Sequence, residues 1–247
     1  MKQSVQPSWV LARRPFRDSS LLVELLTANT GRTSVVVKGA HRKQRGGSSS
    51  NLLQPFSPIL VGLGGTSELK YLASIESAGV SIALPGELFF SGLYMNELLV
   101  KLVPKSDPMP RLFSCYGKSL EQLGAGRDVD MSLRSFEVAL FDELGYQIQW
   151  HRDDQGQLIK PDSYYLFMPE RGFTERAPGT ASEAFRGSDL LSIQDWYRAN
   201  SQLAQSPKQC LKRVLRKAID YRLDGRVLKV REALAQWRAL DQRTGDE

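Results

Sequence analysis

The densest cluster of side chains with chemical potential in this 247-residue chain is cationic, and it is neither nucleophilic nor acidic. It is the segment Lys38-Gly39-Ala40-His41-Arg42-Lys43-Gln44-Arg45, followed by Gly46-Gly47-Ser48-Ser49-Ser50. Lys38, Arg42, Lys43 and Arg45 suit phosphate oxygens, because each bound cation neutralises a backbone charge and releases a counterion. The Gly/Ser run makes the segment flexible. A polar loop kept for solubility is the plain alternative. Phosphate contact is favoured because the charges sit directly against a predicted strand. Arg32 and Arg14 are the next candidates on the same reasoning.

Signatures of enzymes fail one by one. Gly117-Lys118-Ser119 resembles the end of a phosphate-binding loop, but Leu112 stands where the pattern needs glycine, and the segment reads as mid-helix. His151-Arg152-Asp153 mimics a kinase triplet without the glycine-rich loop or the Asp-Phe-Gly that must accompany it. Gly62, Gly64 and Gly65 form a turn with no helix behind it, so they are no dinucleotide fingerprint. The pairs Asp153/Asp154 and Asp128/Asp130 fall in polar stretches where caps and turns are the commoner use. His41 and His151 are isolated, as are Cys115 and Cys210, so neither zinc nor a disulfide framework is expected. The expected protein is a binder rather than an enzyme, with no cofactor.

Charge points the same way. Residues 1–80 carry ten Lys/Arg against four Asp/Glu, residues 81–206 twelve against seventeen, and residues 207–231 nine against two. Two basic blocks therefore flank an acidic middle, in a chain whose net charge is +6. Clustered positive charge is the footprint of a polyanion binder. No apolar run approaches the ~18 residues of a membrane span, and no secretory signal is recognisable at the N-terminus. A cytoplasmic protein is expected.

The elements that must position these cations change character near residue 80. Before it, Trp9–Ala12 (cut by Arg13-Arg14-Pro15), Leu21–Leu26, Thr33–Val37, Phe56–Leu63 and Glu68–Ile75 read as five short strands. Five strands in a basic segment suit an OB-fold barrel, which binds single strands by a basic groove and stacking aromatics. Trp9 and Phe16 are candidates for stacking or for core, core being the commoner use, and Phe56 reads as core. After it the period is helical: a run from Pro85 to Pro104, a helix at Leu112–Leu123, and a third starting at Ser132 whose Phe136, Leu140 and Leu144 share a face. Tyr164–Phe167 and Gly172–Thr174 predict a β-ribbon within about 158–176. Pro207 opens the last helix, a basic one, and residues 232–247 are left as a tail. The expected class is α+β: barrel 1–80, then a mainly helical domain 81–247 carrying the ribbon.

Several strings resemble the RecO family of bacterial recombination mediators. They are Trp9-Val10-Leu11 with Arg14-Pro15-Phe16 and Ser19-Ser20-Leu21; Thr30-Gly31-Arg32 with Val36-Val37-Lys38-Gly39-Ala40; and Leu53-Gln54-Pro55-Phe56. Further along come Ser91 to Leu99, Arg134-Ser135-Phe136-Glu137 through Leu144-Gly145-Tyr146, and Leu223-Asp224-Gly225-Arg226 with Leu228-Lys229-Val230-Arg231. Many members carry a four-cysteine zinc module after the Leu-Gly-Tyr motif. Residues 147–206 here hold no cysteine, which resembles the zinc-less variant.

The resemblance implies DNA repair and recombination in the RecFOR pathway. It implies binding of single- and double-stranded DNA, annealing of complementary strands, and help in loading recombinase onto strands coated with single-strand-binding protein. The implied partners are RecR and the C-terminal tail of single-strand-binding protein, and the implied place is the nucleoid. Arg134 beside Phe136, Leu140 and Leu144 would offer that tail a cation and an apolar pocket, although the three apolar residues also suit a helix core face. Lys229 and Arg231 are further DNA candidates, or else helix-capping residues. An RNA-directed OB-fold protein of translation or RNA processing is the alternative.

Overall fold

The computed structural model describes residues 5–17, 19–39, 49–177, 183–199 and 201–244. Within them the chain packs as two units, residues 1–136 with 227–247, and residues 137–226. The junction near residue 80, where strand period gives way to helix period, lies inside the first unit.

That unit opens with a closed barrel of β1 (Val5–Phe16), β2 (Ser20–Thr27), β3 (Gly31–Val37), β4 (Pro58–Gly64) and β5 (Lys70–Ser77), in the order β1-β2-β3-β5-β4. Every neighbour is antiparallel except the β3–β5 pair. This is the topology of an OB-fold. Alternation sends Leu21, Val23 and Leu25 of β2 and Val35 and Val37 of β3 inward to meet Ile59 and Val61. One turn of helix, α1 (Ser49–Leu52), leads into Leu53, which is fully buried in that core.

One expectation needs correction: β1 is not cut at Arg13-Arg14-Pro15. It pairs with β2 as far as Phe16↔Ser20, whereas β4 pairs with β1 only from Val5 to Trp9. Pro15 thus sits where the strand has a free edge, the position a residue without an N–H tolerates. The pairing slips between Val10 and Ala12, leaving Leu11 as an extra residue.

Helices α2 (Glu87–Leu102), α3 (Pro110–Gly124) and α4 (Val129–Glu143) follow. The start of α4 lies three residues before the predicted Ser132, because Asp128 Oδ1 accepts the Met131 N–H and fixes the first turn there. Of residues 232–247, expected to be a tail, those up to Thr244 belong instead to α7 (Lys229–Thr244), which packs along α2. Its apolar stripe is narrow, carried by Val230, Leu234 and Trp237, with Trp237 against Phe90 at a 5.7 Å ring separation. So narrow a stripe is easily passed over in a charged sequence.

The second unit holds a three-stranded sheet, β7-β6-β8, from β6 (Tyr164–Met168), β7 (Gly172–Arg176) and the two-residue β8 (Phe185–Arg186). Beside it lie α5 (Gly187–Ala199) and α6 (Gln205–Leu223). Aromatic packing and turns hold the cysteine-free stretch between α4 and α5. Trp150 and Phe167 lie 5.7 and 5.1 Å from Phe173, and Asp153 Oδ1 accepts the Gln155 and Gln157 N–H groups. Asp154 Oδ2 accepts from Arg171 and Thr174, each at 2.9 Å. Gly145, at φ 77, ends the helix by the paired bonds Gly145 N–H to Asp142 and Tyr146 N–H to Phe141.

Candidate nucleic-acid interface

The outer face of an OB barrel across β2 and β3 is where this fold holds nucleic acid, and here it is divided in two. Along β3, Arg32, Ser34 and Val36 alternate outward, with Lys38 just past the strand end. At the Arg32 end the face is closed. Arg32 Nε donates to Val103 O at 2.7 Å, Arg32 Nη1 to Glu24 Oε2 at 2.9 Å, and Ser34 Oγ to Glu24 Oε1. Ser106 N–H donates to Arg32 O, and Gly31 (φ 70) leaves no room for a Cβ, which would stand 1.9 Å from the Asp107 carbonyl oxygen. The link between α2 and α3 therefore lies across this half. Arg32, a predicted phosphate contact, is bound within the fold, its side chain 12% exposed.

The other half is open. The registers Arg14↔Leu22, Leu22↔Val36 and Val36↔Tyr71 place four outward residues in one row across β1, β2, β3 and β5. Arg14 and Tyr71 are exposed at its ends, and half-buried Leu22 and Val36 lie between them. Lys38 is exposed at the end of β3, and the Arg17 guanidinium lies 5.2 Å from the centre of the half-buried Phe16 ring. The row thus joins cations to an aromatic and an apolar floor. Arg42, Lys43 and Arg45 lie outside the described residues. Trp9 and Phe56 are core, Trp9 meeting Tyr116 edge-on.

Lys229 and Arg231 sit in the first turn of α7. The Lys229 and Val230 N–H groups donate to the two carboxylate oxygens of Glu97, each at 2.9 Å. Lys229 is exposed and Arg231 half-buried. Of the four residues expected to receive a partner's tail, Phe136 and Leu140 are fully buried, Arg134 is 6% exposed and Leu144 half-buried.

Tyr71 went unnamed at the level of sequence, its only signal being strand parity. The basic helix opened by Pro207 was expected, but none of its outward cations was singled out. Burial of Leu211, Val214, Leu215 and Ala218 turns Lys212, Arg213 and Arg216 to solvent, with Lys217 half-buried beside them. Among these cations Lys217 pairs with Glu183, and Arg216 reaches Asp220 at 3.8 Å. Arg213 also lies over the Phe185 ring at 4.7 Å.

Among the described residues no group of His, Cys, Asp and Glu could hold a metal ion, and no helix is long and apolar enough to cross a membrane. Gly117-Lys118-Ser119 lies inside α3, with Gly117 against Trp9. Burial pushes the Cys210 thiol up to about 12 and raises Cys115 as well, which removes thiolate chemistry from both.

Comparison with known proteins agrees with this geometry. The family model "Recombination protein O N terminal" matches residues 1–80, and "Recombination protein O C terminal" matches residues 86–232. The chain is 38% identical over 226 residues to DNA repair protein RecO of Methylococcus capsulatus, covering 91% of this chain and 90% of that one. It is 39% identical over 233 residues to the protein of that name from Pseudomonas paraeruginosa, covering 93% and 94%. With that of Coxiella burnetii it shares 37% over 234 residues, covering 94% and 97%.

Proposed function

This chain belongs to the RecO family of DNA repair and recombination proteins, and from that premise we propose that it is a strand-annealing mediator acting on DNA through two basic surfaces. It binds single- and double-stranded DNA, pairs complementary strands, and helps recombinase onto strands coated with single-strand-binding protein. The observation that carries the proposal is the open half of the barrel face, where Arg14 and Lys38 border a row of outward apolar and aromatic residues. Arg42, Lys43 and Arg45, which follow Lys38 in the sequence and lie outside the described residues, are proposed as further phosphate contacts. The exposed face of α6 supplies the second surface.

Annealing requires two polyanions to approach each other. A protein that neutralises phosphates on both strands lowers their repulsion and gains entropy from released counterions. No bond is made or broken, so the reading needs neither nucleotide nor metal. RecR and single-strand-binding protein are its proposed partners at the nucleoid. Of the residues named for the tail of the latter, Phe136 and Leu140 are enclosed.

The test is duplex formation between two complementary labelled oligonucleotides, each coated with single-strand-binding protein, followed by fluorescence without nucleotide. Acceleration that falls when Arg14, Lys38, Arg42, Lys43 and Arg45 become alanine is the expected result. No acceleration on coated or bare strands overturns the proposal, and tighter binding to unstructured RNA than to DNA at equal salt favours the RNA-directed alternative.

A further inference from the structure

Tyr71 is held in a way that its place in a strand does not require. It pairs across the sheet with Gly64, and its ring covers that glycine: a Cβ on Gly64 would stand 2.2 Å from the ring carbon Cζ and 2.5 Å from the hydroxyl oxygen. A Cβ on Gly65 would stand 3.5 Å from Cδ1 of the same ring. The ring thus rests on the backbone of two successive glycines. Yet Tyr71 is 47% exposed, so this support leaves much of it facing solvent. The turn beneath it is tied down. Lys70 Nζ donates to Gly65 O at 3.0 Å, Ser67 Oγ to Leu69 O at 2.8 Å, and Lys105 pairs with Glu68 at 3.0 Å. Leu69, 43% exposed, adds apolar surface beside it.

Shielding of a strand glycine by a cross-strand aromatic would explain the covered side. It does not explain why the ring stands at the end of this open row of the barrel, in register with Val36, Leu22 and Arg14. Three strand spacings separate Arg14 from Tyr71, about 14 Å along the sheet, a span within reach of a few nucleotides of single strand.

We infer that Tyr71 is a stacking platform for an unpaired base, with Arg14 and Lys38 holding the flanking phosphates, and that it makes the barrel prefer single-stranded to duplex DNA. A base in a duplex is already stacked on its neighbours and offers no free face, whereas a single strand does. Stacking is indifferent to which base arrives, as a mediator acting at any sequence requires. The inference rests on the proposed DNA binding and names the strand form that this face recognises.

The test measures affinity of the full chain for one labelled single strand and for the matching duplex, comparing Tyr71→Ala, Tyr71→Leu, Tyr71→Trp and Arg14→Ala. Leucine still covers Gly64 but has no π-face, so it separates shielding from stacking. Tyr71→Ala and Tyr71→Leu are expected to weaken single-strand binding about tenfold, with duplex affinity and salt dependence unchanged. Tyr71→Trp is expected to keep affinity and to show indole quenching by single strands only. Full single-strand affinity in Tyr71→Leu, or equal losses for strand and duplex, overturns the platform; if Arg14→Ala still weakens both DNA forms, the DNA-binding proposal survives. Absence of DNA binding by the unaltered protein overturns both.

Discussion

The side-chain amide of Asn96 donates to the carbonyl oxygen of Leu11 at 2.9 Å, at the point where β1 carries its extra residue. A bulge leaves a backbone group outside the ladder, and a buried carbonyl without a donor is costly. Asn96 on α2 satisfies it and is itself oriented by the Tyr116 hydroxyl of α3, which donates to Asn96 Oδ1. Burial raises the Tyr116 pKa, so that hydroxyl stays protonated and remains a donor. Asn96 is 2% exposed, and the chain joins barrel, α2 and α3 within one unit. Asn96→Leu is expected to cost about 1–3 kcal/mol, read as a lower denaturant midpoint with little change in slope. A stability equal to the unaltered protein would mean that the bulge does not depend on this bond.

Arg32 and Lys38, six positions apart on the same chain stretch, are expected to behave oppositely. Lys38→Ala lowers DNA affinity and reduces the slope of log K against log salt by ~0.7–0.9 for the lost phosphate, with the melting temperature unchanged. Arg32→Ala removes the donors to Glu24 Oε2 and Val103 O and leaves Glu24 only Ser34 among the bonds described. It is expected to cost about 3 kcal/mol and to leave the salt slope as it was. Titrations at three salt concentrations, beside thermal melts, separate the two.

The α6 surface carries its own expectation. Arg213→Ala with Arg216→Ala removes two exposed cations without touching the buried stripe. Duplex formation between bare strands is expected to slow, with a salt slope lower by about 1.5. An unchanged slope would confine DNA to the barrel.

Asp154 is the hub of the cysteine-free insert. Its side chain is 4% exposed and binds Arg171 and Thr174, while its N–H donates to Phe173 O at 2.7 Å. Asp154→Ala is expected to cost about 1–3 kcal/mol and to raise amide exchange across β6 and β7, with the barrel amides unaffected. Uniform exchange across the chain would contradict a local role.

Acid is expected to loosen α7. Arg238 Nε and Nη2 donate to the two Glu87 oxygens at 2.6 and 2.7 Å, and this bond holds the Glu87 carboxyl below its ordinary range. A carboxyl that binds its proton less readily when folded stabilises the fold above its unfolded pKa. It loses that contribution as pH falls through the lower, folded value. Trp237 fluorescence, followed between about pH 6 and pH 3, is expected to report the release. Glu87→Gln removes that step; a step retained in the variant would assign the acid response elsewhere.

Much of the barrel could be read from local chemistry. β-branched runs such as Thr33–Val37, with Asn29-Thr30-Gly31 as the turn, state a strand period that each residue carries by itself. The core role of Leu140 and of the α6 stripe was equally legible, since a helical repeat of apolar residues has few other uses. The cationic character of residues 38–45 needed no fold at all, and the ordered family strings named the lineage.

What the sequence could not decide was which outward residue stays outward. Arg32 and Lys38 share a strand face and a charge, yet one is closed over by residues 103–107 and the other stands at the open end. That outcome depends on a segment some seventy residues away, and no periodicity within β3 contains it. The same holds for α7, whose narrow apolar stripe becomes a helix face only once Glu97 and Glu87 of α2 meet its backbone and Arg238. Tyr71 is the clearest case. Its residue type allowed core, surface or platform, and only the closing of β4 on β5 laid Gly64 beneath its ring. Local sequence sets period, charge and turn, because those act over a few residues. Which surface remains available is set by long-range packing, because exposure is a property of what else arrives.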